Sequence, residues 1–165
     1  MTLPMFAIAP VQLASAHAAK MQATKVLSIL DPDQACPPFQ VEQLLLRFHD
    51  VSHGISGARW IEPPMGGHVA KIIAFAQGLA PQDRVLLHCA MGISRSPAAL
   101  LIIVAALTGS AEVAIAELQR LIPTLCFEPN KRMIQLADRQ LRLKGALDAA
   151  LVSLPLPVPD AASIW

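Results

Sequence analysis

A cysteine and an arginine are separated by five residues in the segment from residue 88 to residue 96, which reads HCAMGISRS. Cysteine is a strong nucleophile as the thiolate, a form that a helix N terminus and a nearby cation favour. Arg95 is permanently charged and presents a planar fork of donors that fits two oxygens of an oxyanion. We interpret Cys89 and Arg95 as a nucleophile and the side chain that holds an anion against it.

The segments on either side of this loop explain how it is positioned. Residues 84–88 form a short, largely apolar run typical of a buried strand, and residues 97–107 are almost wholly apolar and predict a buried helix. The loop therefore lies at a helix N terminus, where free backbone N–H groups favour a bound phosphate or sulfate. Gly92 permits a tight turn here. We expect an anion to be bound by Ala90, Met91, Gly92, Ile93, Ser94 and Arg95.

Two further polar residues of the loop are candidates for supporting roles. Ser96 is placed to donate a hydrogen bond to the sulfur of Cys89, which would stabilise the thiolate when it leaves. His88 ends the preceding strand, where it would orient the loop backbone without contacting the anion itself. The alternative is that His88 only forms hydrogen bonds at the end of the strand and has no role in the site.

The segment from Cys89 to Pro97 resembles the signature loop of the cysteine-dependent protein tyrosine phosphatases, most of all that of compact bacterial dual-specificity phosphatases. Residues 46–51, 68–75 and 128–130 resemble other pieces of these enzymes, and the resemblance covers about residues 25–141. It implies hydrolysis of a phosphomonoester through a phosphocysteine intermediate, with no metal and no other cofactor. The partner implied is a phosphorylated protein or a small phosphomonoester. The family also implies an aspartate on a separate loop that protonates the leaving oxygen.

Asp50 is the candidate for this acid. It follows the mostly apolar run 44–48, so it is expected at a strand end, where parallel sheets gather their active sites. It lies 39 residues before Cys89, somewhat more than is usual in dual-specificity phosphatases, and the loop of residues 52–67 would absorb the excess. One alternative stays open. In it Asp50 only caps a turn, and Glu62 in the same loop is the acid.

The other two cysteines have weaker claims to a function. Cys36 precedes two prolines in an expected loop, where it would either form a disulfide with Cys89 on oxidation or have no redox role. Cys126 stands between two apolar residues and is interpreted as a core residue. Neither gives the spacing of a metal site.

The loop side chains say little in favour of a particular substrate. They include no lysine, whereas phosphatases of multiply phosphorylated lipids carry basic residues there, so such lipids are disfavoured. The chain has no tyrosine, so an apolar wall for a phosphotyrosine ring would have to come from Phe48, Trp60, Phe127 or Met91. Phosphotyrosine, phosphoserine or phosphothreonine, and small phosphomonoesters all remain open.

The periodicity of the whole chain predicts an α/β fold with a single domain. The expected architecture is a central, mostly parallel sheet of four to five strands flanked by helices. Strands are predicted at residues 5–9, 25–30, 43–48 and 84–88, and helices at residues 11–20, 68–79, 97–107, 111–121 and 130–147. We assign residues 1–150 to the phosphatase domain and residues 151–165 to a proline-containing C-terminal tail.

Composition narrows the function classes further. A net charge of +1 with dispersed basic residues gives no reason to expect nucleic acid, and no segment is apolar enough for a membrane span. Three cysteines, an odd number, argue against a secreted disulfide framework, so a cytoplasmic location is expected. Two alternatives to a phosphatase remain: a phosphate-recognising binding module with little turnover, and a rhodanese-like sulfur transferase. The oligomeric state is not predicted.

Overall fold

The computed structural model describes residues 2–53, 59–121 and 127–152, which form four strands and six helices. In chain order these are β1 (Met5–Pro10), α1 (Val11–Met21), β2 (Lys25–Leu30), β3 (Glu42–Arg47), α2 (Gly66–Gln77), β4 (Arg84–Cys89), α3 (Arg95–Thr108), α4 (Ala111–Leu121), α5 (Lys131–Leu141) and α6 (Ala146–Val152). The predicted α/β class is confirmed.

The four strands pair in the order β1-β4-β2-β3, and every pair is parallel. The sheet therefore has four strands, the lower of the two numbers expected, and the expected parallel arrangement is confirmed. Strand β4, which leads into the loop with Cys89 and Arg95, lies inside the sheet between β1 and β2. Because parallel strands end at the same edge, the residues that follow β2, β3 and β4 come together there.

Alternation along β4 separates its side chains between the two faces of the sheet. Val85, Leu87 and Cys89 belong to the larger core, which the sheet shares with α2 to α6. Leu86 belongs to a smaller cluster on the other face, together with Ala14 of α1. Successive residues of a strand point to opposite faces, so His88 lies on the face of α1 and Cys89 on the face of α3.

Helix α3 is the central helix of the fold. It begins at Arg95, two residues before the predicted start, and residues 95–105 are all buried. A helix that is apolar all round needs neighbours on every side, and α3 contacts α2, α4, α5 and the sheet. Its N terminus is thereby fixed beneath the loop that precedes it.

The prediction of a single helix over residues 130–147 is wrong, because this segment forms two helices, α5 and α6. Arg142 and Lys144 adopt left-handed backbone conformations, with φ of 56° and 55°, and Gly145 has φ of 83°. The buried carboxylate of Asp138 then accepts hydrogen bonds from the backbone N–H groups of Leu147 and Asp148 at the start of α6. The apolar residues whose spacing predicted one helix belong to two helices and the turn between them, and they pack on the same core.

Several sequence-based expectations fall outside the described residues. Cys126 and residues 54–58 of the loop before α2 are among them, as are residues 153–165 of the predicted tail. Helix α6 runs to Val152, two residues past the boundary placed at residue 150. Among the described helices, none combines the length and the apolar character needed to cross a bilayer.

Candidate active site

Cys89 is the last residue of β4, and its side chain lies at the floor of the loop. The residue is only 2% exposed. Its sulfur accepts a hydrogen bond from the backbone N–H of Gly92 at 3.2 Å and contacts the hydroxyl of Ser96 at 3.2 Å. Both donors stabilise negative charge on sulfur, and Ser96 itself is fully buried in the first turn of α3.

The backbone of the loop is held by its carbonyl groups. The oxygen of Ala90 accepts from Val11 N, that of Ile93 from Glu128 N, and that of Ser94 from Asn130 N. In a trans peptide the N–H points opposite to the carbonyl of the same plane. The N–H groups of Met91, Ser94 and Arg95 therefore point away from these outer partners, as an anion-binding ring of amides requires.

Gly92 is the residue that this loop conformation demands. Its φ is +71°, a region that residues with a side chain rarely adopt. A Cβ there would also lie 3.0 Å from backbone atoms of Ala9 and Pro10 at the end of β1. The close approach of the loop to β1 thus needs glycine for two separate reasons.

Arg95 is buried to the same degree as Cys89, with 2% of its surface exposed. Its Nη1 donates to the carboxylate of Asp31 at 2.6 Å and to the carbonyl of Phe48 at 2.8 Å. Its Nε has no hydrogen-bond partner and lies 3.9 Å from Oδ2 of Asp50. One edge of the guanidinium is therefore fixed by the protein, while Nε keeps a donor for an anion.

Asp31 is a site residue that the sequence analysis missed. It directly follows β2, the neighbour of β4, so its carboxylate reaches the same sheet edge as Cys89. The signal was an aspartate at the end of an apolar run, the same signal that singled out Asp50. Asp31 precedes a proline, however, and thus resembles an ordinary turn residue, and only the strand order brings it to Arg95.

The structure brings Asp50 to the loop. Its Oδ1 accepts hydrogen bonds from the hydroxyl of Ser94 and from Nδ2 of Asn130, both at 2.7 Å. Its Oδ2 has no such donor and lies on the side of Arg95. The side chain is 35% exposed, so the second oxygen can exchange a proton with a bound group or with water.

Asn130 connects three parts of the site, a role that the sequence analysis did not assign to it. It is fully buried and caps α5, since its Oδ1 accepts from Met133 N at 3.0 Å. Its backbone N–H holds the carbonyl of Ser94, and its Nδ2 holds Asp50. One residue therefore couples the helix start, the loop and the carboxylate.

Glu62, the alternative acid, is bonded through its backbone to His49, the residue before Asp50. Its carbonyl accepts from His49 N at 2.7 Å, and its own N–H donates to Nδ1 of the His49 ring at 2.9 Å. The residue is exposed, and its described bonds come from the backbone. Asp50 is thus the carboxylate of the two that the structure joins to the loop.

His88 faces the opposite side of the sheet from Cys89. Its Nε2 contacts Ser28 Oγ at 2.6 Å, and Ser28 in turn accepts from Gln43 at 2.8 Å. Its Nδ1 has no hydrogen-bond partner. Burial lowers the pKa of His88 to about 4, so the ring is neutral at neutral pH and adds no positive charge behind Cys89. Its ring is therefore joined to strands β2 and β3, while the loop backbone is held by other groups.

Cys36 lies at the far end of the same polar chain. It is half-buried, and its sulfur accepts a hydrogen bond from Gln43 Nε2 at 3.1 Å. Both Cys36 and Cys89 are free thiols. Within the described parts of the chain, no three His, Cys, Asp or Glu side chains are grouped as metal ligands would be.

Comparison with known proteins gives matches in structure alone. No family model matches the sequence, and no curated protein matches it either. The structure of DUSP15 aligns with a TM-score of 0.61 and 18% identity over 94% of this chain and 96% of that one. The human tyrosine phosphatase-like serine/threonine/tyrosine-interacting protein aligns with a TM-score of 0.64 and 21% identity, covering 86% and 94%.

A third match extends the range of ligands found on this fold. The structure of PTPMT1 in complex with PI(5)P aligns with a TM-score of 0.57 and 16% identity, over 86% of this chain and 95% of that one. All three matches span nearly the whole of the matched chains. The chain therefore has the fold of the cysteine-dependent protein tyrosine phosphatases, in the compact form of the dual-specificity phosphatases.

Proposed function

We propose that this protein is a cysteine-dependent phosphomonoester hydrolase of the dual-specificity type. The observation that carries the proposal is the environment of Cys89, whose sulfur lies 3.2 Å from both the N–H of Gly92 and the hydroxyl of Ser96. An inert core cysteine has no need of two polar donors. Arg95, with a buried Nε that has no hydrogen-bond partner, and Asp50, bonded to the loop through Ser94, complete the set.

The proposed reaction has two steps. In the first, Cys89 Sγ attacks phosphorus, the P–S bond forms and the P–O ester bond breaks, while Oδ2 of Asp50 gives its proton to the leaving oxygen. The loop amides and Arg95 hold the phosphoryl oxygens. In the second, water attacks phosphorus, Asp50 takes a proton from it and the P–S bond breaks. Ser96 then donates to the departing thiolate.

The neutral His88 and the fixed edge of Arg95 support this assignment of roles. His88 is neutral at neutral pH and so adds no positive charge near the sulfur. The positive charge there comes from Arg95 and from the N terminus of α3. The ion pair with Asp31 holds Arg95 in place before substrate arrives. Such preorganisation reduces the rearrangement that binding requires.

Hydrolysis of para-nitrophenyl phosphate in the presence of EDTA tests the proposal. The wild-type protein should release nitrophenol, and Cys89→Ser should reduce the rate to background while still binding vanadate. Cys36→Ser is the matched control, since it also replaces a thiol by a hydroxyl and should keep the wild-type rate. A fully reduced, folded wild type that releases no nitrophenol would contradict the proposal. Assays of vanadate binding and of thiosulfate-to-cyanide transfer would then test the binding module and the sulfur transferase.

A further inference from the structure

Arg47 is a charged residue at the sheet edge of the candidate site, and the proposed reaction does not use it. It is the last residue of β3 and is half-buried. Its Nη1 donates hydrogen bonds to the backbone carbonyls of Asp31 at 3.0 Å, Pro32 at 3.1 Å and Gln34 at 2.9 Å. Within the described part of the chain, the guanidinium of Arg47 forms no ion pair with a carboxylate. Its donors are therefore directed at one backbone turn.

The turn that Arg47 binds directly follows β2. Residues 31–34 are closed by a hydrogen bond from Gln34 N to the carbonyl of Asp31 at 3.1 Å. Three carbonyl oxygens that point toward one place repel each other, and the N–H groups of a cation offset this repulsion more strongly than a neutral donor does. The conformation of this turn therefore depends on Arg47.

The same turn carries Asp31, whose carboxylate accepts a hydrogen bond from Nη1 of Arg95 at 2.6 Å. The side chain of Asp31 is 45% exposed, whereas that of Arg95 is 3% exposed. An exposed carboxylate on a freely moving backbone gains little from an ion pair, because fixing it costs conformational entropy. Asp31 therefore holds the buried guanidinium most firmly when its own backbone is fixed.

Arg47 also joins the two strand ends that hold Arg95. Its partner in the sheet register is Leu30, the residue before Asp31. The residue after Arg47 is Phe48, whose carbonyl accepts from Nη1 of Arg95 at 2.8 Å. Both groups that hold this nitrogen therefore directly follow the last paired residues of β2 and β3, and the side chain of Arg47 links these two strand ends through the turn.

We propose that Arg47 is a positioning residue for Arg95. It fixes the turn after β2, the turn places the carboxylate of Asp31, and Asp31 orients Arg95 so that its Nε is directed at the phosphoryl group. The inference rests on the proposed phosphatase function and concerns how the same site is held in shape. Arg47 itself touches neither the substrate nor the reacting atoms.

Arg47→Met tests the inference, because methionine keeps an unbranched apolar stem but has no donor for the three carbonyls. We expect kcat/KM for para-nitrophenyl phosphate to fall roughly tenfold, the effect of a lost hydrogen bond to a charged group. Arg47→Lys should restore most of this loss, since the contacts use one nitrogen and an ammonium carries three N–H donors. A wild-type rate in Arg47→Met would overturn the inference.

Arg84→Met is the matched control. Arg84 is also half-buried and also donates to a backbone carbonyl, from its Nε to Gln22 at 2.6 Å. It begins β4, so it lies at the opposite edge of the sheet from Cys89, and its loss should change thermal stability alone. Rates are compared well below the thermal midpoint of every variant. An equal kinetic loss in the two methionine variants would mean that Arg47 only stabilises the fold, against the inference.

A double-mutant cycle separates positioning through Asp31 from a direct action of Arg47. If Arg47 acts through Asp31, adding Arg47→Met to Asp31→Ala should change kcat/KM by less than about twofold. Losses that multiply in the double variant would overturn the inference. The loss in Arg47→Met should also be the same for aryl phosphates with good and with poor leaving groups. A loss confined to poor leaving groups would place the effect on Asp50 instead and would contradict the inference.

Vanadate binding gives a measurement that needs no turnover. In the Cys89→Ser background, Arg47→Met should weaken vanadate binding roughly tenfold, and Arg84→Met should leave it unchanged. Unchanged vanadate affinity in the Arg47→Met variant would refute the orientation of Arg95 by Arg47. A wild type that hydrolyses no phosphomonoester would instead refute the proposed function. The vanadate series would still decide the role of Arg47 in that case, because a phosphate-binding module needs the same arginine in the same orientation.

Discussion

The two oxygens of the Asp50 carboxylate have different surroundings, and this difference defines what the residue can do. Oδ1 is occupied by Ser94 and Asn130, whereas Oδ2 lies toward Arg95 without a close donor. A proton to be transferred must therefore be on Oδ2. The two bonds to Oδ1 fix the orientation of that second oxygen, because they prevent rotation of the carboxylate.

We predict that Asp50→Asn slows substrates with poor leaving groups by roughly 10²- to 10⁴-fold and those with good leaving groups far less. An amide can keep the bonds to Oδ1 but cannot supply the proton. The measurement is kcat for a series of aryl phosphates of increasing leaving-group pKa. Glu62→Gln serves as the control and should keep the wild-type dependence. The opposite pattern in the two variants would make Glu62 the acid.

The residues of the site were predictable from the sequence to different degrees. Cys89, Arg95 and Ser96 lie within eight residues, so their spacing alone predicts that they lie together in one loop. The contact between Asp31 and Arg95 depends on β2 lying beside β4, because the two partners are 64 positions apart in the sequence. Local patterns carry no information on such pairing, and for this reason Asp31 was missed.

At the scale of elements, the site is held at the start of two helices. Helix α3 supplies Arg95 and Ser96, and α5 begins with the buried cap Asn130. The carbonyls of the loop bind backbone N–H groups from α1 and from the segment that leads into α5. The loop is thus fixed by elements that are distant in sequence, while the N–H groups of Met91, Ser94 and Arg95 point away from these partners.

Replacements of Asn130 separate its two roles. Asn130→Ser should keep the helix cap, since serine is a good N-cap residue, but lose the donor to Asp50. We expect kcat for poor leaving groups to fall roughly tenfold, the effect of a lost hydrogen bond to a charged group. Asn130→Ala should give the same kinetic loss and an additional fall in thermal midpoint of about 2–4 °C from the lost cap.

Steady-state rates and thermal melts of the two variants provide the measurement. Normal kinetics in Asn130→Ser would mean that Ser94 alone suffices to orient Asp50. Equal melting temperatures of the two variants would mean that Met133 N finds another partner.

The helices illustrate where element prediction succeeds and fails. The helix after the loop was predicted because its residues are apolar throughout. The division into α5 and α6 was missed, since Leu136, Leu143 and Leu147 keep a helical spacing across the break. The break depends on Asp138 capping the next helix nine and ten residues further on, a contact that periodicity does not reveal.

At the scale of the whole molecule, a polar chain runs through the sheet behind the loop. It links His88 of β4 to Ser28 of β2 and on to Gln43 of β3. His88 and Cys89 face opposite sides because successive residues of a strand alternate, and the partners of His88 follow from the strand order. This buried histidine makes the stability of the fold sensitive to pH.

We predict that stability falls as the pH is lowered from about 6.5 to 4. Burial lowers the folded-state pKa of His88 to about 4, so in this interval the unfolded chain binds the proton and the folded protein does not. The free energy of unfolding therefore falls by up to about 3 kcal/mol between neutral pH and pH 4. Above the pKa of the unfolded chain, about 6.5, His88 has no such effect. Burial also lowers the pKa of His68, which adds a change of the same sign.

Urea unfolding across this pH range measures the effect. His88→Gln, which keeps an amide for the bond to Ser28, should show a flatter dependence than wild type. His53→Gln is the control, because His53 is exposed and should leave the wild-type slope intact. Parallel curves for wild type and His88→Gln would contradict the assignment.

Asn130 contacts residues much earlier in the chain, so these contacts cannot form until synthesis has reached it. Cys89 is synthesised 41 residues before Asn130, a delay of roughly 2–8 s at ordinary rates of translation. During that time the carbonyl of Ser94 and the carboxylate of Asp50 lack the partner that later holds them. The nascent protein thus exposes the thiol of Cys89 before the contacts of Asn130 with the loop and with Asp50 have formed.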